Sequence, residues 1–365
     1  MKEIELKLQG KIKRLTNKTF KFDERVKDGW FSAVYFLKTR EIAKRYKEDN
    51  IVTMQFFQRK DAVLCGTDEA IALLKNFAKD PETLEIYSLK DGDKITSFET
   101  VLTVTGPYQN FGYLEGIIDG ILSRRTSVAT NVYNVSKAAA LSGEQKPVIF
   151  MGDRDDHFTQ QAGDGYAAYI GGSTAQATPA MNEWWGKKGI GTMPHAMIQL
   201  FNGDIVEATK AYHTTFPEDE LVSLVDYNND VITDSLKLAR EFGSELKGVR
   251  VDTSRTMIDK YFLRNQHLLG TFDPRGVNAN LIFALREALD HEDFQHVKIV
   301  VSGGFNVERI TEFEKMGVPV DMYGIGSSLL KINIGFTGDC VLLNGEHSAK
   351  AGRRYRPNPR LEKVD

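Results

Sequence analysis

Apolar residues recur at helical spacing through YFLKTREIAKRY, Tyr35 to Tyr46, which predicts a helix with one face turned to a core. The period then shortens. IVTMQFF and DAVLCG read as short strands, and a helix is predicted from Thr67, whose hydroxyl followed by Asp68 and Glu69 makes a favourable start, through Phe77. TLEIYSL and TVLTVTG are two further strands, joined through the turn DGD and a short loop. A helical stretch runs from about Gly112 to Ala140 and ends in the loop SGEQKP.

Beyond Pro147 apolar strands alternate with helices: PVIFM, LVSLVD, GVRVD, KIVVSG and DMYGIG, separated by patterns such as VITDSLKLAREFG and NVERITEFEKMG. Short buried strands with helical crossovers imply parallel pairing. Two weaker strands, Gly171 to Ala175 and Thr192 to Pro194, leave the set too small for a regular eightfold barrel. The α/β pattern predicts an irregular parallel β/α barrel over residues 143–335, preceded by an α+β domain over 1–142. The basic, proline-punctuated end, 336–365, is read as an extended tail packed back on the first domain.

Charge adds mostly exclusions. The 365 residues carry 47 Lys and Arg against 50 Asp and Glu, so no general basic field points to nucleic acid, and any anion site must be local. Cys65 and Cys340 are isolated, with no CxxC or Cys/His cluster, and no histidines form an i, i+4 pair. A disulfide framework and a structural or histidine-based metal site are therefore not expected. The amino end lacks the apolar core of a secretion signal, and the longest uncharged stretch, Gly165 to Asn182, is too polar to face lipid. The expectation is a soluble, cytoplasmic protein with no membrane partner.

In a parallel barrel the reactive groups lie at the carboxyl ends of the strands. Those positions hold Gly152-Asp153-Arg154, Asp226, Asp252, Gly303-Gly304 and Gly324-Ile325-Gly326-Ser327-Ser328. Carboxylates hold Mg²⁺ or ribose hydroxyls, Arg pairs an anion through two N–H groups, and glycines let backbone N–H groups approach phosphate oxygens. Gly303-Gly304 precedes a helix start at Asn306, and GIGSSLL repeats the arrangement one strand later. Asp226 and Asp252 could each be helix caps, but Arg250, two residues before Asp252 and on the same side of its strand, favours a polar site. His195 in GTMPHAM is either a hydrogen-bonded structural residue or a nucleophile able to carry a phosphoryl group.

The ordered strings MGDRDDHF, AAYIGGSTAQAT, GTMPHAM, LVDYNN, VRVDTS, VSGGFN and YGIGSSL, with YFLKT and AKAGRRYRPNPRLEKV near the two ends, resemble the nicotinate phosphoribosyltransferases among the type II phosphoribosyltransferases. The resemblance implies a homodimer whose amino-terminal domain closes the partner's barrel. It implies transfer from phosphoribosyl pyrophosphate, with Mg²⁺, to nicotinate in NAD salvage, stimulated by ATP through a phosphohistidine. His195 then matches the phospho-acceptor, Arg154 the arginine receiving the pyridine carboxylate or a nearby phosphate, and Tyr35 the ring that stacks on the pyridine across the dimer seam. Arg250, Asp226 and Asp252 match ribose and phosphate contacts, Met151 and Thr174 substrate contacts, and Gly303, Gly304, Gly326 and Ser327 the phosphate loops.

Two features depart from that pattern. Met151 stands where an aromatic is usual, leaving Tyr166 and Phe158 as other candidates for the ring contact. Asp155-Asp156 adds negative charge beside an anionic substrate. Nicotinamide, being neutral, suits that acidic pair, whereas quinolinate with two carboxylates calls for a more basic pocket. A non-catalytic sensor of phosphoribosyl pyrophosphate and a flavin-dependent barrel oxidoreductase are the readings from other classes.

Overall fold

The computed structural model describes residues 2–365. Its strands are β1 (Ile51–Phe57), β2 (Ala62–Val63), β3 (Glu85–Ser88), β4 (Lys94–Ile95), β5 (Thr100–Pro107), β6 (Val148–Phe150), β7 (Ala175–Gln176), β8 (Leu221–Leu224), β9 (Leu246–Val251), β10 (Lys298–Val301), β11 (Met322–Ile325), β12 (Thr337–Leu343), β13 (Glu346–His347) and β14 (Glu362–Lys363). They form an antiparallel sheet in the order β13-β12-β1-β5-β3-β14, a parallel sheet in the order β7-β6-β11-β10-β9-β8, and the small pair β2-β4. The mixed α/β architecture and the curled parallel sheet agree with the class read from the sequence.

The parallel sheet curls but does not close, because its edge strands β7 and β8 do not pair with each other. The expected strand at Thr192–Pro194 is absent. Gly189, Gly191 and Pro194 interrupt that stretch, and it runs as an extended segment in which the Ile190 N–H donates to the Gln176 carbonyl (2.9 Å) beside β7. Three strands of the antiparallel sheet, β12, β13 and β14, come from the carboxyl-terminal segment, with β12 paired against β1 through a register shift between Thr53 and Met54.

The helix Glu115–Ala138 holds the two sheets together. Its first half puts Ile118 and Leu122 into the core of the antiparallel sheet; its second half puts Val128, Val132 and Val135 into the core of the barrel. Gly171, ending the helix Gln161–Ile170, lies so close to the Ala129 carbonyl that a Cβ would overlap it, which lets the two helices meet. The helix Thr67–Phe77 starts differently from expectation. Its cap is Gly66 at φ +101°, and the Thr67 N–H and hydroxyl both donate to Asp91 Oδ1 (2.8 and 2.9 Å).

Where the long helix meets β12, three carboxyl groups gather. Burial, and then the neighbouring Asp119 and Asp339, push Glu115 up to about 8, and burial pushes Asp119 up to about 6. Both groups are raised above their unfolded values. Their contribution to stability is therefore full below those values and is lost as pH rises towards the folded ones. We expect wild-type thermal midpoints to fall between about pH 5 and pH 8, and Glu115→Gln to flatten that fall and raise Tm by a few degrees at the alkaline end. A Tm series that keeps the wild-type slope in Glu115→Gln would remove this carboxyl as its source.

Candidate active site

Residues just past the carboxyl ends of the parallel strands carry the candidate groups. After β8, Asp226 is not a helix cap; the next helix starts after Asp230. Its Oδ2 lies 3.1 Å from His195 Nε2, and its side chain is only 6% exposed against 48% for the histidine. Burial pushes the Asp226 carboxyl up, opposed by the hydrogen bond from His195 and reinforced by the nearby Asp252. Its second oxygen, Oδ1, is buried without a hydrogen-bond partner among the described residues. His195 reaches this carboxylate because it opens the short helix His195–Leu200, the first structure after the extended segment beside β7.

Asp252 follows β9 and also caps nothing. Ser302 Oγ, one residue past β10, donates to Asp252 Oδ1 (2.8 Å), and Arg250 Nη2 stands 3.7 Å from Oδ2. Arg250 lines a cavity of about 490 Å³ that runs through the barrel, with Ile149, Met151, Val222 and Val300 beside it; Glu220, Lys247, Lys298 and Asp321 line its far end, at the amino ends of the strands. The Arg250 Nε is buried without a partner among the described residues. A fork-shaped cation with one N–H unspent, beside Met151 and Val300 in a cavity of mixed apolar and charged lining, suits a planar anion.

The two glycine loops lie on adjacent strands. Gly303 (φ +88°) and Gly304 (φ +75°) hold left-handed backbone that other residues rarely adopt, and a Cβ on Gly304 would come within 2.6 Å of Arg255. Asn306 caps the following helix, Val307–Lys315, accepting from the Arg309 N–H (3.0 Å). At Gly326 a Cβ would come within 2.5 Å of the Asp155 carboxylate and 3.0 Å of the Met151 carbonyl, and Ser327 opens a short 3₁₀ turn.

Sequence reasoning missed Arg255 and Arg309, which flank the first loop. Arg255 donates to the Gly304 carbonyl, and Arg309 donates to the Gly303 carbonyl (2.9 Å) and to Val277, lying 4.2 Å over the Phe305 ring. Burial, and then the charge of Arg255, lower Arg309 to about 10. Neither guanidinium has a carboxylate partner among the described residues. The available sequence signal was an arginine three residues past Asp252 and another three past Asn306, in VDTSR and NVER.

Other candidates lie elsewhere. Thr174 stands before β7, level with the start of β6, and its hydroxyl donates to the Val148 carbonyl (3.2 Å) at the amino end of the sheet, opposite the mouth. Thr178, after β7, occupies the carboxyl end instead, donating to Gln161 Oε1 (2.8 Å). Tyr166 is buried, its hydroxyl donating to Asp91 (3.1 Å) and accepting from Lys7 (3.3 Å), so it cannot meet a ligand at the mouth. Phe158 is 71% exposed beside the mouth, and Arg154 is exposed without an ion pair or side-chain hydrogen bond among the described residues. Tyr35 lies on the first domain's helix Val34–Tyr46, exposed with Trp30, Phe31, Val34 and Ile42. Among the described residues no three His, Cys, Asp or Glu side chains form a metal cage, and no helix is long and apolar enough to cross a membrane.

Residues 33–126 match the model of the quinolinate phosphoribosyl transferase N-terminal domain. The chain is 24% identical over 304 residues to a nicotinate phosphoribosyltransferase of Bacillus subtilis, covering 75% of this chain and 56% of that one. It is 26% identical over 299 residues to nicotinate phosphoribosyltransferase pncB1 of Mycobacterium tuberculosis, covering 74% and 60%. The chain thus spans little more than half the length of these relatives. Among solved structures, nicotinate-nucleotide pyrophosphorylase from Pyrococcus furiosus superposes with a TM-score of 0.78 at 27% identity, over 94% of this chain and 85% of that one. Human nicotinic acid phosphoribosyltransferase shares the fold at a TM-score of 0.66 and 16% identity, over 88% and 77%. By sequence and by fold, the chain is thus similar to nicotinate phosphoribosyltransferases and to a nicotinate-nucleotide pyrophosphorylase.

Proposed function

We propose that the protein transfers the phosphoribosyl group of phosphoribosyl pyrophosphate to nicotinate, giving nicotinate mononucleotide and pyrophosphate in NAD salvage. The observation that carries this reading is the convergence of Asp226, Asp252 and two glycine loops above a cavity whose wall contains Arg250. The pyridine nitrogen attacks C1 of the ribose as the C1–oxygen bond to pyrophosphate breaks, and needs no general base. Positive charge on the ribose ring in the transition state is met by Asp226 and Asp252. The pyridine enters the part of the cavity nearest the carboxyl ends of the strands, beside Met151 and Val300, with its carboxylate on Arg250, which fits better than Arg154 because Arg154 is exposed. Arg255 and Arg309 supply the charge, and Gly303-Gly304 and Gly326-Ser327 the backbone N–H groups, for phosphate.

The orphaned Asp226 Oδ1 and the carboxylate of Asp252 suit Mg²⁺ that arrives with the pyrophosphate, since that ion is commonly held by one or two carboxylates plus substrate oxygens. When bound, the ion neutralises the leaving group. His195 is the proposed acceptor of a phosphoryl group from ATP, through the ring nitrogen that Asp226 does not engage, while Asp226 stabilises the imidazolium.

A second copy of the chain completes the site in this reading. The exposed Trp30, Phe31, Val34 and Tyr35 of one first domain match the exposed Phe158, Ile190, Leu200 and Met257 around the mouth of another barrel.

Incubation with phosphoribosyl pyrophosphate, Mg²⁺ and nicotinate, nicotinamide or quinolinate, with and without ATP, tests the reading. Nicotinate mononucleotide should dominate. His195→Ala should abolish ATP stimulation and acid-labile phosphate incorporation while leaving slow ATP-independent transfer. A faster rate with quinolinate or nicotinamide would reassign the substrate, tight binding of phosphoribosyl pyrophosphate without pyrophosphate release would make the protein a sensor, and unaltered ATP coupling in His195→Ala would remove the histidine's role.

A further inference from the structure

The acidic pair beside Arg154 runs against an anionic substrate. The structure supplies a counter-charge from a part of the chain that the sequence does not connect to it. Arg124, on the long helix, sends Nη2 to Asp156 Oδ2 (2.5 Å) and both Nε and Nη2 to Asp164 (2.8 Å each). Asp164 is itself 3% exposed and is held a second time by Arg125 (3.2 Å), which continues to Glu69. On the other side of Arg154, Gln161 Nε2 donates to the Asp153 carbonyl (3.0 Å). The Asp156 carboxylate also accepts from the His157 N–H (2.6 Å). The turn carrying Arg154 is thus tied at both ends, and Arg124 ties it to the helix that the two domains share.

We propose that Arg124 is a positioning residue for the Met151–His157 loop: it neutralises Asp156 and anchors the turn so that Arg154 is presented at the mouth to the phosphate groups of the substrate. This rests on the phosphoribosyl-transfer reading for its kinetic consequence but not for the anchor itself. With Asp156 paired, only Asp155 of the acidic pair is left without an ion pair beside Arg154 among the described residues. Without Arg124, the carboxylate of Asp156 faces the same anions unpaired, and the turn loses its tie to a rigid helix.

Three variants, Arg124→Gln, Asp156→Ala and the pair, carry the test. Hydrogen–deuterium exchange in the 151–158 peptide of the ligand-free protein should rise in each single variant and rise no further in the pair. In steady state, KM for phosphoribosyl pyrophosphate should increase about tenfold in Arg124→Gln while kcat changes less than about threefold, and the effects of the two substitutions should not add. Asp156→Ala spares buried Asp164, so it reports even if Arg124→Gln folds poorly. Unchanged exchange in both single variants overturns the anchor. Raised exchange with unchanged KM, or a loss confined to Tm, overturns the positioning role. An inactive wild type overturns the phosphoribosyl-transfer reading instead, and exchange then decides the anchor alone.

Discussion

Asp252→Asn lowers kcat by about two orders of magnitude while KM for the pyridine stays within about threefold, because the carboxylate's charge is wanted most when the ribose becomes cationic and does not contact the pyridine. Asn keeps an oxygen to accept from Ser302 Oγ and a shape close to the original, so the change removes charge with little change of packing. It also removes the partner of Arg250, 3.7 Å away, but that contact is long, and Arg250 retains its place in the cavity wall. The carboxyl of Asp226 cannot substitute fully. It is more buried, pushed up by desolvation, and already engaged with His195. Steady-state kinetics with saturating phosphoribosyl pyrophosphate check this, and a normal kcat would return Asp252 to a structural role.

Arg250→Gln acts on the other substrate. Replacing the guanidinium in the cavity should raise KM for nicotinate by about 30- to 100-fold, the loss of a charge-assisted paired contact, and erase the preference for nicotinate over nicotinamide. Arg250→Lys should restore little, since an ammonium offers no fork to a planar carboxylate. Competition between the two pyridines in one reaction reads the ratio directly. If Arg154→Gln, and not Arg250→Gln, collapses that ratio, the carboxylate belongs at the rim.

These two residues also show how much of the site could be read from the chain. Asp252 and Arg250 were visible because the apolar run of β9 fixes where the strand ends and which residues share a face. Asp226 and the glycine loops were legible for the same reason. Thr174 was not well read: a strand of two residues carries no pattern that tells one end from the other, and pairing with β6 puts Thr174 at the wrong one. β12 was missed because TGDCVLL opens with residues that disfavour strands and gains its place only by pairing with β1. Arg124 could not be found at all, since its link to Asp156 joins positions 32 residues apart on different elements. The same contact accounts for Asp156, one of the two carboxylates that looked out of place beside an anion site.

The most direct measurement is a crystal structure of the protein with phosphoribosyl pyrophosphate and Mg²⁺. The ribose should lie between Asp226 and Asp252, with phosphate oxygens on the backbone of Gly303-Gly304 and Gly326-Ser327 and beside Arg255. A ligand held away from both carboxylates, or a mouth that stays empty at saturating concentration, would contradict the convergence on which the proposed reaction depends.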